Sequence, residues 1–390
     1  MDHPRLYLMF FLALSISMAT GCTALADDKP TVTKNEEIDW EKAKSIYKRV
    51  QDGEKVSDDD KAYLDHAKAA RQKMNALNPQ PNNANKPNNA GQNAPTPKAT
   101  IGLIPLTELK GDARYKGVEG GLYGHGQNRP PEKLLAAALK TSQTITALSA
   151  DGKPSVDGKI VLVSLGMSNT TGEFSRFKQI ADRDPGKSAK LQIVDLAQGG
   201  QDAPKWDIDE NNNAERSPWT VAAKKLADAK VTPEQVQVIW LKQAIAGQGN
   251  FGEFPKHSNL LKTQIESIIA RAKRKYPNLK LVYMSSRIYA GNAKSQLNPE
   301  PYAYEGAFSV RGVIEDQLAH DSLINPIALW GPYLWADGTT ARQADKFQWT
   351  PEDFAADGTH PSDTGRQKVA ELLLNFFKTD ATSKDWFVGR

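Results

Sequence analysis

A serine, a pair of glycines and an aspartate–histidine pair are the residues of this sequence whose spacing could support acyl transfer. Ser168 follows the apolar run 159–165, with Gly166 two positions before it. A serine just beyond a buried strand can be presented on a tight turn as a nucleophile, although serine is also common as a plain helix N-cap. The pattern is not GxSxG, so it does not match the nucleophile elbow of α/β-hydrolases.

The glycine pair and the histidine lie at comparable points of the chain. Gly199 and Gly200 follow the second apolar run, where they predict either a simple turn or a backbone that aims N–H groups at an anion. Asp357 lies three residues before His360, directly ahead of the last amphipathic stretch. At that spacing the carboxylate can orient the imidazole, which then serves as a general base. The alternative interpretation of this segment is a polar loop that leads into a helix.

Five short, continuously apolar runs predict the strands that must position these residues: 159–165, 191–196, 236–241, 279–285 and 327–330. Runs of this kind are typical of parallel strands that are buried on both faces. Helical patterns separate the runs. We therefore predict an α/β fold, a three-layer α/β/α sandwich with a central parallel sheet, whose ligand site lies at the carboxyl ends of the strands.

The combination and order of these motifs resemble the SGNH (GDSL-like) hydrolase superfamily over residues 159–378. The Gly166-Met167-Ser168-Asn169 form is similar to its sialate O-acetylesterase-like members. The resemblance implies a flavodoxin-like fold and a serine esterase that needs no cofactor or metal. It also implies that Ser168 is the nucleophile, His360 the base and Asp357 the group that orients the base.

The oxyanion hole that the resemblance implies departs from the family pattern at one position. Its donors would be the N–H groups of Ser168 and Gly200 and a side-chain amide, which normally comes from the asparagine of a GxND block after the third strand. That block is absent here, and Gln243 occupies the asparagine position. Glutamine carries the same amide on a longer stem, so we expect it to serve, with Asn250 as the weaker substitute. Losing one such donor typically costs ~10²–10³ in rate.

Other residues with chemical potential carry weaker expectations. His257 and His320 are expected on the surface of predicted helices, and His66 lies in a predicted helical hairpin. His125, in a glycine-rich loop, either lines the site or belongs to a structural wrap around the core. An aromatic cluster could stack on sugar rings, but packing is the more common explanation for its members: Tyr302, Tyr304, Trp330, Tyr333 and Trp335.

The N-terminal segment predicts export. An apolar run over 6–19 has the length of a signal-peptide core and is too short to span a membrane comfortably. Ala19-Thr20-Gly21-Cys22 resembles a bacterial lipobox, which would make Cys22 the lipidated mature N-terminus. Cleavage after Ala24-Leu25-Ala26 is the alternative. We therefore predict a signal peptide with lipobox over 1–26 and an extracytoplasmic protein, either anchored by the lipid at Cys22 and facing the periplasm, or soluble.

The rest of the sequence divides by composition. Helical patterns over 38–77 predict a small hairpin, the Asn/Pro-rich stretch 78–98 predicts a linker, and 100–380 is the predicted hydrolase domain. The net charge of +4 over 390 residues is small and dispersed, which argues against nucleic acid as a partner. Cys22 is the single cysteine, so no internal disulfide can form and structural zinc is not expected.

Taken together, the sequence predicts an exported serine esterase that hydrolyses acyl esters, acetyl esters in particular, through a Ser-His-Asp triad and an acyl-enzyme. Location and the resemblance make an esterified small molecule or glycan the expected substrate. Two alternatives belong to other classes. One is an O-acyltransferase, in which a sugar hydroxyl replaces water; the other is a carbohydrate-binding protein with a degenerate site. No cofactor, metal or nucleic acid is expected, and contact with the membrane is expected only through the lipid anchor.

Overall fold

The computed structural model describes residues 39, 42–43, 45–46, 49, 56–77, 99–208, 217–320, 323 and 326–389. These residues belong to two compact units, which divide at residue 91. The predicted signal peptide with Cys22 and the predicted linker 78–98 lie outside the described residues. Among the residues described, no helix is both long enough and apolar enough to cross a membrane.

The first unit contains helix α1, Asp58–Leu77. Three aspartates occupy its first turn, where carboxylates oppose the positive end of the helix dipole. The Asp39 N–H donates to the Tyr63 hydroxyl, and Arg49 pairs with Asp60 at 3.2 Å. The hairpin 38–77 stays a prediction, because much of its first helix lies outside the described residues. Among the residues of this unit whose burial is described, the buried apolar ones are Ala43, Ile46, Leu64 and Ala67.

The second unit contains a sheet and the helices that cover it. In its described part the strands are β1 Ile160–Gly166, β2 Leu191–Asp195, β3 Val236–Lys242, β4 Leu281–Met284 and β5 Ile327–Trp330. The α-helices are α2 Glu132–Ser142, α3 Ser168–Ala181, α4 Ala203–Trp206, α5 Pro218–Asp228, α6 Lys256–Lys275, α7 Tyr302–Ala319, α8 Asp363–Thr379 and α9 Lys384–Phe387.

The sheet is parallel throughout, and its strand order is β2-β1-β3-β4-β5. The chain therefore leaves β1 toward one edge and later returns past β1 to reach β3. Because parallel crossovers are right-handed, this reversal places α3 on one face of the sheet and α5, α6 and α7 on the other. The reversal also leaves a crevice at the carboxyl ends of β1 and β3, which is where sheets of this kind bind ligands.

The core lies between the sheet and its two helical layers. Every residue of β1 and β3 is buried. The Phe174 ring of α3 stacks on Trp240 with centroids 5.6 Å apart, and Phe377 of α8 contacts Tyr283 edge-on at 5.6 Å. The predicted sandwich is confirmed, and the strand limits differ from the predicted ones by at most two residues. The apolar stripe of α6 is buried at Leu261, Ile265, Ile268 and Ala272.

The folded unit continues beyond residue 380, where the sequence patterns placed its end. Helix α9 contributes Trp386 and Phe387, and both are buried. The Phe387 ring stacks on Phe377 with centroids 5.5 Å apart. The last helix therefore closes the core on the α3 and α8 side of the sheet.

One fully buried ion pair joins the sheet to α3. Lys242, at the end of β3, donates to both carboxylate oxygens of Glu173 at 2.6 and 2.5 Å, and neither side chain is exposed. Burial lowers the pKa of Lys242 to about 8 and raises the pKa of Glu173, because both groups lose the water that stabilises their charged forms. The Thr170 hydroxyl adds a second link, donating to the Lys242 carbonyl at 2.8 Å.

We expect Lys242→Met to lower the free energy of unfolding by about 3–5 kcal/mol, because buried Glu173 then loses the ion-pair partner that donates to both of its oxygens. Adding Glu173→Leu should recover most of that loss, since apolar replacement of a buried pair is often close to neutral. Urea titration followed by circular dichroism measures both changes. Lys224→Met is the control: its exposed pair with Asp228, at 2.7 Å, should contribute less than about 1 kcal/mol. A double variant as unstable as the single one would contradict this account.

Candidate active site

Ser168 lies at the junction of β1 and α3. A Cβ at Gly166 would lie 2.3 Å from both the Lys242 carbonyl oxygen and the Thr170 hydroxyl oxygen, so only glycine fits at the end of this strand. The chain then turns at Met167, and Ser168 is the first residue of the helix. Its hydroxyl is therefore presented at the carboxyl edge of the sheet. Its N–H is one of the helix donors that have no intrahelical partner.

The loop before α8 brings a histidine to this serine. Nε2 of His360 lies 2.7 Å from Ser168 Oγ, and Nδ1 lies 2.5 Å from Asp357 Oδ2. Gly358 makes the turn possible, because it has a φ of +66° and a Cβ there would lie 1.7 Å from the Asn292 carbonyl oxygen. The structure thus brings together the serine, histidine and aspartate that the motifs singled out.

Hydrogen bonds keep Asp357 ionised. Partial burial acts to raise its pKa, but the N–H groups of His360 and Thr359 and the imidazole all donate to the carboxylate, and together they lower the pKa below its usual value. With the imidazole proton on Nδ1, the lone pair of Nε2 is directed at the Ser168 hydroxyl. This is the tautomer that a general base requires.

The carbonyl of Thr359 is bound by two side chains that sequence reasoning gave no role. Asn169 Nδ2 donates to it at 3.0 Å and Arg287 Nη2 at 3.4 Å, and both side chains are buried. Because Thr359 immediately precedes His360, these bonds fix the backbone that carries the imidazole. The available signal for Asn169 was its place beside Ser168 in the GxSN motif.

Arg287 continues a buried polar network away from the serine. Its Nε donates to Asn298 Oδ1 at 3.1 Å, and Asn298 Nδ2 donates to Gln248 Oε1 at 2.6 Å. The Gln248 amide contacts Nδ1 of His257 at 2.7 Å, and Nε2 of His257 lies 2.6 Å from Glu305. The prediction that His257 lies on the surface is therefore wrong. Its ring is fully buried because polar partners lie against both nitrogens.

Three other described histidines, His66 in the first unit and His125 and His320 in the second, are exposed. The His125 N–H donates to Glu119 within its own loop at 2.7 Å. Packing accounts for four members of the aromatic cluster, because they are buried in the core: Tyr304, Trp330, Tyr333 and Trp335.

Gly200 lies on the loop after β2, which is attached to the end of β1. The Gln198 N–H donates to the Gly166 carbonyl at 3.0 Å. Gly200 itself is exposed, with a φ of +74°. Its carbonyl accepts from Lys205 Nζ at 2.6 Å, whereas its N–H donates to no residue in the described part of the chain. The loop therefore leaves an N–H available to a ligand at the carboxyl edge of the sheet.

Gln243 follows Lys242 directly, beside the end of β1 in the sheet register. Its side chain is 3% exposed, and both polar atoms of its amide are closed to water and bonded to none of the described residues. An unpaired buried amide costs about 1–3 kcal/mol, so packing alone does not explain it. A substrate oxygen can reach this amide only after the side chain moves. Asn250, the weaker substitute, is exposed. The role of Gln243 in an oxyanion hole stays a prediction.

The site contains the three groups that can activate a serine hydroxyl: the hydroxyl, an imidazole and a carboxylate. A base within hydrogen-bond reach of a serine, itself oriented by a carboxylate, can take the serine proton as the oxygen attacks a carbonyl carbon. The N–H of Ser168, at the start of α3, and the N–H of Gly200, on the loop after β2, both follow strand ends at the carboxyl edge of the sheet. Within the described ranges, no group of three or more histidine, cysteine, aspartate or glutamate residues could hold a metal ion.

No family model matches the sequence, and no curated protein matches it. Solved structures do match. A candidate acylhydrolase from Bacteroides fragilis is 14% identical, with a TM-score of 0.36 over 66% of this chain and 100% of its own. A lipase from a goat rumen metagenome is 14% identical, with a TM-score of 0.33 over 57% of this chain and 100% of its own. A GDSL-like lipase from Bacteroides thetaiotaomicron is 12% identical, with a TM-score of 0.35 over 62% of this chain and 95% of its own. At such identities and TM-scores the likeness does not assign an activity to this chain.

We expect Gln243→Leu to separate stability from activity. Removal of a buried, unpaired amide should raise the free energy of unfolding by about 1–3 kcal/mol. If the amide serves the oxyanion, kcat on a short-chain acyl ester should fall by ~10²–10³ with little change in KM, because the contact forms mainly in the transition state. Urea titration and steady-state kinetics measure the two effects.

Asn250→Ala is the matched comparison for this prediction. If Gln243 is the donor, Asn250→Ala should keep its kcat and its stability. A kcat defect of that size in Asn250→Ala, with normal turnover in Gln243→Leu, would transfer the role to Asn250. Normal turnover in both variants would leave only backbone donors in the oxyanion hole.

Proposed function

We propose that this chain is an exported serine esterase of the SGNH (GDSL-like) type that hydrolyses acyl esters, acetyl esters of carbohydrates foremost, as sialate O-acetylesterase-like members do. The observation that carries the proposal is the unbroken contact from Asp357 through His360 to Ser168, at 2.5 and 2.7 Å. Nucleophile, base and orienting carboxylate then stand in the order that acyl transfer requires.

The first half of the proposed reaction acylates the serine. His360 takes the Ser168 proton as Oγ attacks the ester carbonyl carbon, and the electron pair of the C=O bond moves to the carbonyl oxygen. The N–H groups of Ser168 and Gly200 donate to that oxyanion. The bond from the carbonyl carbon to the alcohol oxygen then breaks, and the imidazolium gives its proton to the leaving alcohol. The product of this half is an acyl-serine.

The second half releases the acyl group by the same path. His360 takes a proton from water as the water oxygen attacks the acyl-serine, and the imidazolium returns a proton to Ser168 Oγ as that bond breaks. A carboxylic acid leaves, and the serine is restored. Asp357 stays ionised in both halves and stabilises the imidazolium. A sugar hydroxyl in place of water would give the acyltransferase alternative.

The support for catalysis, rather than for binding by a degenerate site, comes from the residues around the triad. Asn169 and Arg287 are buried, and each donates a hydrogen bond to the Thr359 carbonyl, directly before His360. Buried polar groups of this kind are costly unless paired. A protein that only bound its ligand would gain nothing from fixing this imidazole against a serine.

We expect Ser168→Ala and His360→Ala each to lower kcat/KM on 4-nitrophenyl acetate by about 10⁴-fold or more, because the two residues act as a unit. Asp357→Asn should cost less. Steady-state hydrolysis measures the losses, and mass spectrometry with a glycan acceptor separates transfer from hydrolysis. Ser155→Ala, a serine before the amino end of β1, is the control and should keep its rate. Wild-type turnover in Ser168→Ala with native circular dichroism would refute the assignment.

Export is the second part of the proposal and concerns residues outside those described. When the full-length protein is made in a bacterial host, Cys22→Ser should move it from the membrane fraction to the soluble periplasm, because the anchoring lipid is lost. Fractionation and the mass of the N-terminal peptide measure the change. A wild-type protein that is soluble and begins at Asp27 would instead establish cleavage after Ala26.

A further inference from the structure

A polar groove of about 550 Å³ runs from Ser168 between α3 and α8. Its walls are the exposed stripe of α3 and the first turn of α8, and no large apolar side chain is among its lining residues. Such walls do not suit a long acyl chain, which needs apolar contacts. Provided that Ser168 is the nucleophile as proposed, the groove is suited to the alcohol portion of the ester.

Two arginines give the groove a positive charge. Arg176 donates through Nε to Gln367 at 2.6 Å and through Nη1 to Gln179 at 3.0 Å, so both partners are neutral amides. Arg366 pairs with Asp363 at 3.0 Å, but that carboxylate is 97% exposed and screened by water. The lining residues therefore carry two positive charges and one negative charge, and the negative one is screened by water.

The groove is also lined by two hydroxyl groups, which bind a further carboxylate, Asp195. Thr171 and Ser175 both donate to Asp195 at the end of β2, Ser175 at 2.7 Å. The Ser164 hydroxyl and the Ala197 N–H also donate to this carboxylate. Its oxygens are thus occupied by protein donors, and the charged groups among the lining residues are the two arginines and Asp363.

The spacing of the two cations follows the helix. Arg366 lies against Gly172, where a Cβ would come within 3.1 Å of its Nε, and Gly172 is four residues after Ser168. Arg176 is four residues further along α3. At 1.5 Å per residue, the two positions lie about 6 and 12 Å from Ser168 along the helix. A polymer with a carboxylate on successive units could pair with both.

We propose that this groove binds carboxylates of the substrate's alcohol portion through Arg366 and Arg176, so that the preferred substrates are acyl esters of acidic glycans, polyuronates in particular. The inference rests on the proposed function and adds the substrate class to it. Guanidinium groups match carboxylates because their planar forks donate two parallel hydrogen bonds. Neutral glycan esters of the same length lack these contacts.

The test compares kcat/KM on O-acetylated oligogalacturonate with kcat/KM on O-acetylated xylo-oligosaccharide of equal length, using the full-length protein. The wild type should favour the acidic substrate by at least about 10-fold. Arg176→Ala should lower this ratio by about 10- to 100-fold, the range for a charge-assisted hydrogen bond. Arg176→Lys should recover part of it, and raising the salt concentration should reduce it.

Arg183→Ala is the matched control, because Arg183 is an exposed arginine just past the end of α3 and outside the groove. It should keep the wild-type ratio. Equal kcat/KM on the two glycan esters, or a ratio unchanged in Arg176→Ala, would overturn the inference while hydrolysis by Ser168 still stood. Failure of the wild type to hydrolyse 4-nitrophenyl acetate as well as both glycan esters would instead refute the proposed function itself.

Discussion

The geometry of the site depends on one buried ion pair, Lys242 with Glu173, which joins the end of β3 to the second turn of α3. Ser168 begins the first turn of the same helix, so the pair sets where the hydroxyl lies. Gly166 completes the junction, because its missing Cβ lets β1 end against the Lys242 carbonyl. The serine is thus positioned by the ion pair and by the close contact between the ends of β1 and β3, rather than by the conformation of a loop.

The histidine is positioned by different means, since it lies on a loop and has no helix to hold it. Asn169 links the two sides: it is the neighbour of Ser168 in the chain, and it donates to the carbonyl that precedes His360. Arg287 reinforces this bond from the segment after β4. The junction after β1, the segment after β4 and the loop before α8 therefore meet at a single carbonyl oxygen. A displacement of any one of them would change the distance between the His360 imidazole and the Ser168 hydroxyl.

The sheet could be predicted because parallel strands covered on both faces are apolar at every position, which a sequence shows directly. The positions of Ser168 and His360 could be predicted because each lies beside the end of a strand or helix within a short motif. Lys242 could not be assigned a partner from the sequence, because it directly follows an apolar run and the carboxylate that it binds, Glu173, lies 69 residues earlier in the chain. The prediction that His257 lies on the surface was wrong for a similar reason. A helical pattern gives the face of a residue only roughly, and the partners that allow its burial are distant in sequence.

The serine and histidine are separated by 192 residues. Neither segment of the chain holds this contact by itself, since the segment around Ser168 supplies the hydroxyl and the segment around His360 the imidazole. The contact between the hydroxyl and the imidazole therefore forms with the completed fold and is lost with it. In an unfolded chain Ser168 is therefore no more nucleophilic than any other serine.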